Sequence, residues 1–100
     1  MTQLHFFEEA SEEAEEATRW YRDRSAAAEA AFLVEFDHAI TVVTDAPQRW
    51  PRYVAGTRRY VFHTFPYSLV YFVEEGMVKV VAVAHHKRRH GYWRPRLHRR

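Results

Sequence analysis

The sequence predicts an α+β fold: an N-terminal strand, then an antiparallel helical hairpin packed on an antiparallel three-strand meander. Three observations predict it. Apolar residues recur at helical spacing in the first half of the chain and give way to Val-, Tyr- and Phe-rich runs in the second. The joints inside each half are too short for crossovers, so consecutive elements must run antiparallel. A stretch marked by Pro47, Pro51 and Gly56 separates the two halves.

The elements follow in order. Leu4-His5-Phe6-Phe7 is short and aromatic and reads as a first strand. From about Glu8 to Asp23, the residues Ala10, Ala14, Ala17 and Tyr21 form one thin helical stripe. Glu8, Glu9, Glu12 and Glu13 lie near the positive end of that helix, and Arg19, Arg22 and Arg24 near its negative end, which favours the helix through its dipole. This charge run is read as a solvated face. Ser25 is the expected N-cap of a second helix from Ala26 to Val43, whose stripe is Phe32, Phe36, Ala39, Ile40 and Val43. Pro47 disfavours helical geometry at Ala46, so 48–56 reads as a loop that Trp50 and Tyr53 tack to the body. Strands are expected at about Arg58 to Thr64, Tyr67 to Val73 and Met77 to His85. The helices would cover one face of the sheet, leaving the other face and an edge open to a partner.

Composition narrows the class. A chain of 100 residues with 47% hydrophobic and 16% aromatic content reads as one folded domain over residues 1–100. Without cysteine it has no disulfide framework, thiolate metal site or cysteine nucleophile. The histidines are scattered, with no His-x-x-x-His pair on a helix, so neither metal nor cofactor is expected. No basic-apolar leader is seen, and no apolar run approaches the roughly 18 residues of a membrane span, so a cytoplasmic location without membrane contact is expected.

The net charge of +2 hides a strong polarity. Every acidic residue except Glu74 and Glu75 lies at or before Asp45, whereas Arg52, Arg58, Arg59, Lys79, Lys87, Arg88, Arg89, Arg94, Arg96, Arg99 and Arg100 fill the second half. The run from His85 to Arg94 sets Tyr92 and Trp93 among cations, a pattern that can neutralise an anion and offer a stacking face. Structural roles compete at several of these positions. His85 suits a hydrogen bond at a strand end, and alternation lets only one of Arg58 and Arg59 face a given site. Phe65-Pro66-Tyr67 suits a turn whose rings fill the core. Tyr92 and Trp93 serve equally well to pack the C-terminal segment onto the sheet or to recognise a partner.

The order of elements and the wording of the second half resemble the RelE/ParE superfamily of toxins from bacterial type II toxin-antitoxin systems. The matching residues are Ala10, Glu13, Ala17, Trp20 and Tyr21, Phe32, Pro47, and Gly56 with Arg58-Arg59. They continue through Phe65-Pro66-Tyr67 and Tyr71 to His85, Arg88, Tyr92 and Trp93. His90 stands where ParE-like members commonly have Pro. The resemblance implies a toxin neutralised by a cognate antitoxin, with operator DNA contacted only through that antitoxin. The Phe-Pro-Tyr and Tyr-Trp-Arg wording looks ParE-like, which implies DNA gyrase as target and blocked replication, with growth arrest as the outcome. Arg88, Arg89, Tyr92, Trp93, Arg94 and Arg96 would then form the surface for target or antitoxin.

The alternative within the superfamily is a RelE-like endoribonuclease that cuts mRNA on the ribosome. That reaction needs a base for the ribose 2′-hydroxyl, a cation for the crowded phosphate and an acid for the leaving oxygen. Arg58, Arg59, His85, His86 and Tyr92 are the candidates for it. An inactive relative that only binds antitoxin and a plain nucleic-acid-binding module are the remaining readings.

Overall fold

The structure, a computed structural model, describes residues 3–99. Arg100, counted above in the C-terminal charge, lies outside the described residues. The chain runs β1 (Gln3–Phe6), α1 (Glu8–Arg22), α2 (Ala26–Asp45), β2 (Arg58–Val61), β3 (Tyr67–Glu74) and β4 (Met77–His85). Short 3-10 turns lie at Pro47–Arg49 and Val54–Gly56, and a longer one closes the chain at Arg94–Arg99. The α+β architecture expected from the sequence is present. Its sheet has the order β1-β4-β3-β2, with β1 parallel to β4 and the other pairs antiparallel. Among the described residues no helix is long and apolar enough to cross a membrane.

The helical hairpin forms for local reasons. Glu8 and Glu9 occupy the first turn of α1, and Arg19 and Arg22 its last, matching the helix dipole at both ends. Ser25 caps α2, its Oγ accepting the Ala28 N–H at 3.0 Å. Across the joint, Arg22 Nε donates to Glu29 at 2.7 Å. Buried Ala10 and Ala17 let α1 lie close to the sheet, while α2 brings Phe32, Ala39 and Val43. The second helix continues past the expected Val43 to Asp45 because the Ala46 N–H still reaches the Val42 carbonyl, at 3.3 Å. Pro47 ends it.

The turns set the register of the meander. Glu75 and Gly76 take φ of 52° and 74°, the two positive values that a two-residue hairpin of type I′ requires. Between β3 and β4, Val70 pairs with Ala82 and Tyr71 with Val80, which leaves Val81 as the extra residue of a β-bulge. The bulge shifts the phase of β4, so Val78, Val80 and Val83 face the helices while Val81 and Ala82 face away. β2 is shorter than expected, stopping at Val61 rather than Thr64. The Glu35 carboxylate on α2 accepts the backbone N–H groups of His63 and Thr64, so these donors are lost to the strand.

The face away from the helices is not open, contrary to the sequence expectation. Val70, Phe72, Val81 and Ala82 form a second apolar cluster there with Trp93, whose indole is 1% exposed. The segment after β4 therefore folds back as a third layer.

A carboxylate holds that layer. Glu13, expected on a solvated face, has a side chain only 13% exposed. It accepts the Tyr92 hydroxyl at 2.6 Å, both terminal nitrogens of Arg96 at 2.9 and 3.0 Å, and the Val83 N–H at 3.0 Å. Arg96 also donates to the Val81 carbonyl at 2.9 Å. β1 stops at Phe6, whose neighbour Phe7 makes a last backbone bond to Val80. Glu13 and Arg96 thus satisfy the edge groups of β4 beyond the end of β1. Replacing Glu13 by Ala should cost about 3 kcal/mol, because it strands a mostly buried guanidinium and a strand amide. Urea unfolding of the variant would measure the loss.

Candidate functional site

The turn that leads from β4 into the C-terminal layer also builds a cleft lined by arginines. His86 N–H bonds the Pro66 carbonyl at 2.9 Å and Arg88 N–H the His85 carbonyl at 3.0 Å, so the chain reverses at once after β4. Gly91, at φ of 74°, supplies the left-handed step before Tyr92, and its Cα leaves room for the Arg94 stem, which a Cβ would meet at 2.9 Å. The resulting cavity of about 130 Å3 lies between β2, the end of β3 and residues 85–93.

The walls of the cleft carry cations fixed by aromatic rings. The Arg59 guanidinium, from β2, lies 4.3 Å from the Tyr53 ring centre, and that of Arg88 lies 3.8 Å from the Tyr92 ring centre. Arg89 is exposed at the rim. Buried Ser68 Oγ sits 2.9 Å from His86 Nε2. Tyr53 also meets His90, through a hydrogen bond between its hydroxyl and Nε2 and an edge-to-face ring contact at 5.3 Å. The histidine found at the usual proline position thus takes a side-chain tether to the loop before β2. Among the described residues no carboxylate lines the cleft.

The structure separates the other residues singled out from the sequence. Arg58 alternates away from Arg59 and donates to the Trp50 carbonyl at 2.7 Å, so it is spent on holding the loop. His85 packs its ring edge-to-face on Tyr67 at 5.0 Å, on the helix side of the sheet, and its Nδ1 accepts the Lys87 N–H at 3.0 Å. Its other nitrogen then carries the proton in the neutral form and has no lone pair for a base. Tyr92 gives its hydroxyl to Glu13, and burial, then that bond, push its pKa up, so it is a poor proton-transfer group. Trp93 is buried and Arg96 is held by Glu13, which takes both out of reach of a partner in this fold. Arg94 is exposed but lies outside the cleft. Of the residues singled out from the sequence, the cleft brings together Arg59, Arg88 and Arg89 with His85, His86, Tyr92 and Trp93.

Sequence reasoning missed Glu13, Ser68 and His90 as parts of this site. Glu13 had a legible signal. It lies i+3 from Ala10 and i−4 from Ala17, so it sits beside the buried stripe rather than opposite it. Ser68 and His90 had none, because their partners are fixed only once β3 and the turn are assembled.

Among the described residues no group of side chains is arranged to hold a metal ion. The pKa of His85 is pushed down by burial first and by neighbouring Lys87 and His86 next. A folded-state pKa below the unfolded value means that protons bind the unfolded chain better. The stability contributed at His85 is therefore full above the ordinary histidine pKa of about 6.5 and is lost as pH falls through the lower folded value. Urea midpoints should fall between about pH 7 and pH 5, and His85→Asn should flatten part of that fall.

Two comparisons bear on this arrangement. No protein with a curated description matches the chain. The fold is similar to that of a chain in the structure titled "Chromosomal ParDE TA system from P. aeruginosa", with a TM-score of 0.73 and 14% identity over 85% of this chain and 96% of that one. Residues 4–90 match the family described as the ParE toxin of the type II toxin-antitoxin system, parDE. That match spans both helices, the whole sheet and most of the cleft turn, and the chain belongs to the ParE toxin family.

Proposed function

We propose that this chain is the toxin of a type II toxin-antitoxin module, is neutralised by its cognate antitoxin, and acts by binding DNA gyrase and blocking replication. The observation that carries this reading is the division of the cleft's residues. The cations line the cleft, while two of the groups that RNA cleavage would use for proton transfer, His85 and Tyr92, are engaged in the scaffold, which leaves His86 beside Ser68. Arg59 and Arg88 lie over tyrosine rings and line the cleft, and Arg89 is exposed beside them. His85 and Tyr92, by contrast, are committed to Lys87 and Glu13. A surface of this kind is suited to gripping an anionic partner rather than to moving protons.

The antitoxin partner fits the remaining surface. α2 exposes Val34, which is 70% exposed, above a groove that Ala30, Ala31 and Phe65 also line. An amphipathic segment that folds on binding would cover such a face. In this reading operator DNA is met only through the antitoxin, and the protein works in the cytoplasm without a cofactor.

The test is a supercoiling assay with purified gyrase, scored for inhibition and for accumulation of cleaved DNA. The wild-type chain should do both at micromolar protein, and Arg88→Ala with Arg89→Ala should lose at least tenfold in potency. The double variant should keep its melting temperature within a few degrees, since both side chains are exposed and Arg88 is 4.0 Å from Glu13. Cut transcripts in a translation reaction, with gyrase unaffected, would instead identify a ribonuclease.

A further inference from the structure

We propose that the cleft is a binding site for a terminal phosphomonoester, the dianionic end of a nucleotide or of a nucleic-acid strand. The inference rests on the cleft's own geometry and stands independently of the gyrase reading.

Charge, shape and preorganisation all favour that ligand. Arg59, Arg88 and Arg89 surround the cavity and among the described residues no carboxylate lines it, so the cations there are not balanced from within. Arg88 comes no closer to a carboxylate than the 4.0 Å that separates it from Glu13, whose oxygens already take Tyr92 and Arg96. A phosphomonoester carries nearly two negative charges at neutral pH and three acceptor oxygens, twice the charge of a backbone diester. Stacking on Tyr53 and Tyr92 holds two guanidiniums by their faces and leaves their N–H edges for an oxyanion, so little side-chain entropy is lost on binding. Ser68 and His86 add further hydrogen-bonding groups at the β3 side of the cavity.

The size of the cavity selects for the end of a molecule. Its volume of about 130 Å3 accommodates roughly four waters at their liquid volume, or one tetrahedral phosphoryl group with part of its hydration. Both tyrosine faces named above are already covered by arginine, so a base has no free stacking platform there. The phosphate therefore enters and the rest of the ligand stays outside.

The experiment compares a short single-stranded oligonucleotide bearing a 5′-phosphate with the same strand ending in a 5′-hydroxyl. Binding is read by fluorescence anisotropy at about 0.1 M salt, where charges beyond about 10 Å are screened. The phosphorylated strand should bind at least tenfold tighter, and inorganic phosphate should displace it. Arg59→Gln and, separately, Arg89→Gln should erase the difference between the two strands while circular dichroism shows an unchanged melt. The Arg89 side chain is exposed, so its replacement serves as the control if Arg59→Gln loosens Tyr53. A nucleoside 5′-monophosphate that competes as well as the phosphorylated strand would identify a free nucleotide as the source, and competition by the strand alone would identify a strand end. Equal binding of both strands would reduce the cleft to a nonspecific backbone contact and overturn the proposal, as would the absence of binding to either.

Discussion

The Glu13 carboxylate joins three parts of the chain that are distant in sequence, and the candidate site depends on that junction. It stands on the first helix, receives an amide from the edge of β4, and anchors Tyr92 and Arg96 of the C-terminal layer. The need for it begins in the sheet. β1 is too short to cover β4 along its length, and the bulge at Val81 turns the Val81 carbonyl and the Val83 amide toward the uncovered edge. Partly buried backbone groups of this kind require partners. A carboxylate and a guanidinium meet both requirements and also each other's. A partly buried ion pair of this kind is favourable because both oxygens of Glu13 and both terminal nitrogens of Arg96 are engaged, whereas a bare pair would lose more in desolvation than it gains.

The same junction sorts the cations. Arg96 is neutralised by Glu13 and serves the fold. Arg88 reaches Tyr92 but not the carboxylate, so Tyr92 carries two loads: its hydroxyl closes the edge network and its ring face positions a guanidinium at the cleft. Tyr53 does the same on the other wall, with its hydroxyl to His90 and its ring under Arg59. Aromatic rings thus convert flexible arginines into fixed ones. The acidic residues that would compete for these cations lie mostly on the helices, on the far side of the sheet, which preserves the dipolar charge seen in the sequence.

Periodicity and turn chemistry made the architecture legible, because each depends on neighbours in sequence. The Ala10, Ala17 stripe, the Ser25 cap, Pro47 and the Glu75-Gly76 turn act within a few residues of themselves. Legibility failed where one long-range bond overrode a local pattern. Strand propensity continues through Thr64, but Glu35, far away on α2, takes the amides of His63 and Thr64 and ends β2 early. The helix end at Asp45 and the C-terminal 3-10 helix depend on similarly weak local signals. At the site, the basic run was visible as charge, but its division into buried Trp93, bonded Arg96 and free Arg88 and Arg89 was not. That division depends on which side of the turn faces the sheet, and a run of adjacent residues does not encode it.

The division bears directly on how function is read from this fold. Residue types alone would place histidines, arginines and a tyrosine within one short segment and suggest acid-base chemistry. Their bonds point elsewhere. His85 has its acceptor nitrogen occupied by a backbone amide, Tyr92 is held protonated by burial and Glu13, and Arg58 secures the loop at Trp50. A side chain already engaged in holding the scaffold can change protonation or partner only by weakening that scaffold, and in a small domain even one or two kcal/mol of weakening matters. The residues free to meet a target at no such cost are Arg59, Arg88 and Arg89, and each is positioned or exposed by a neighbour rather than consumed by it. Recognition of an anionic group is therefore the chemistry that this scaffold can perform without disturbing its own support.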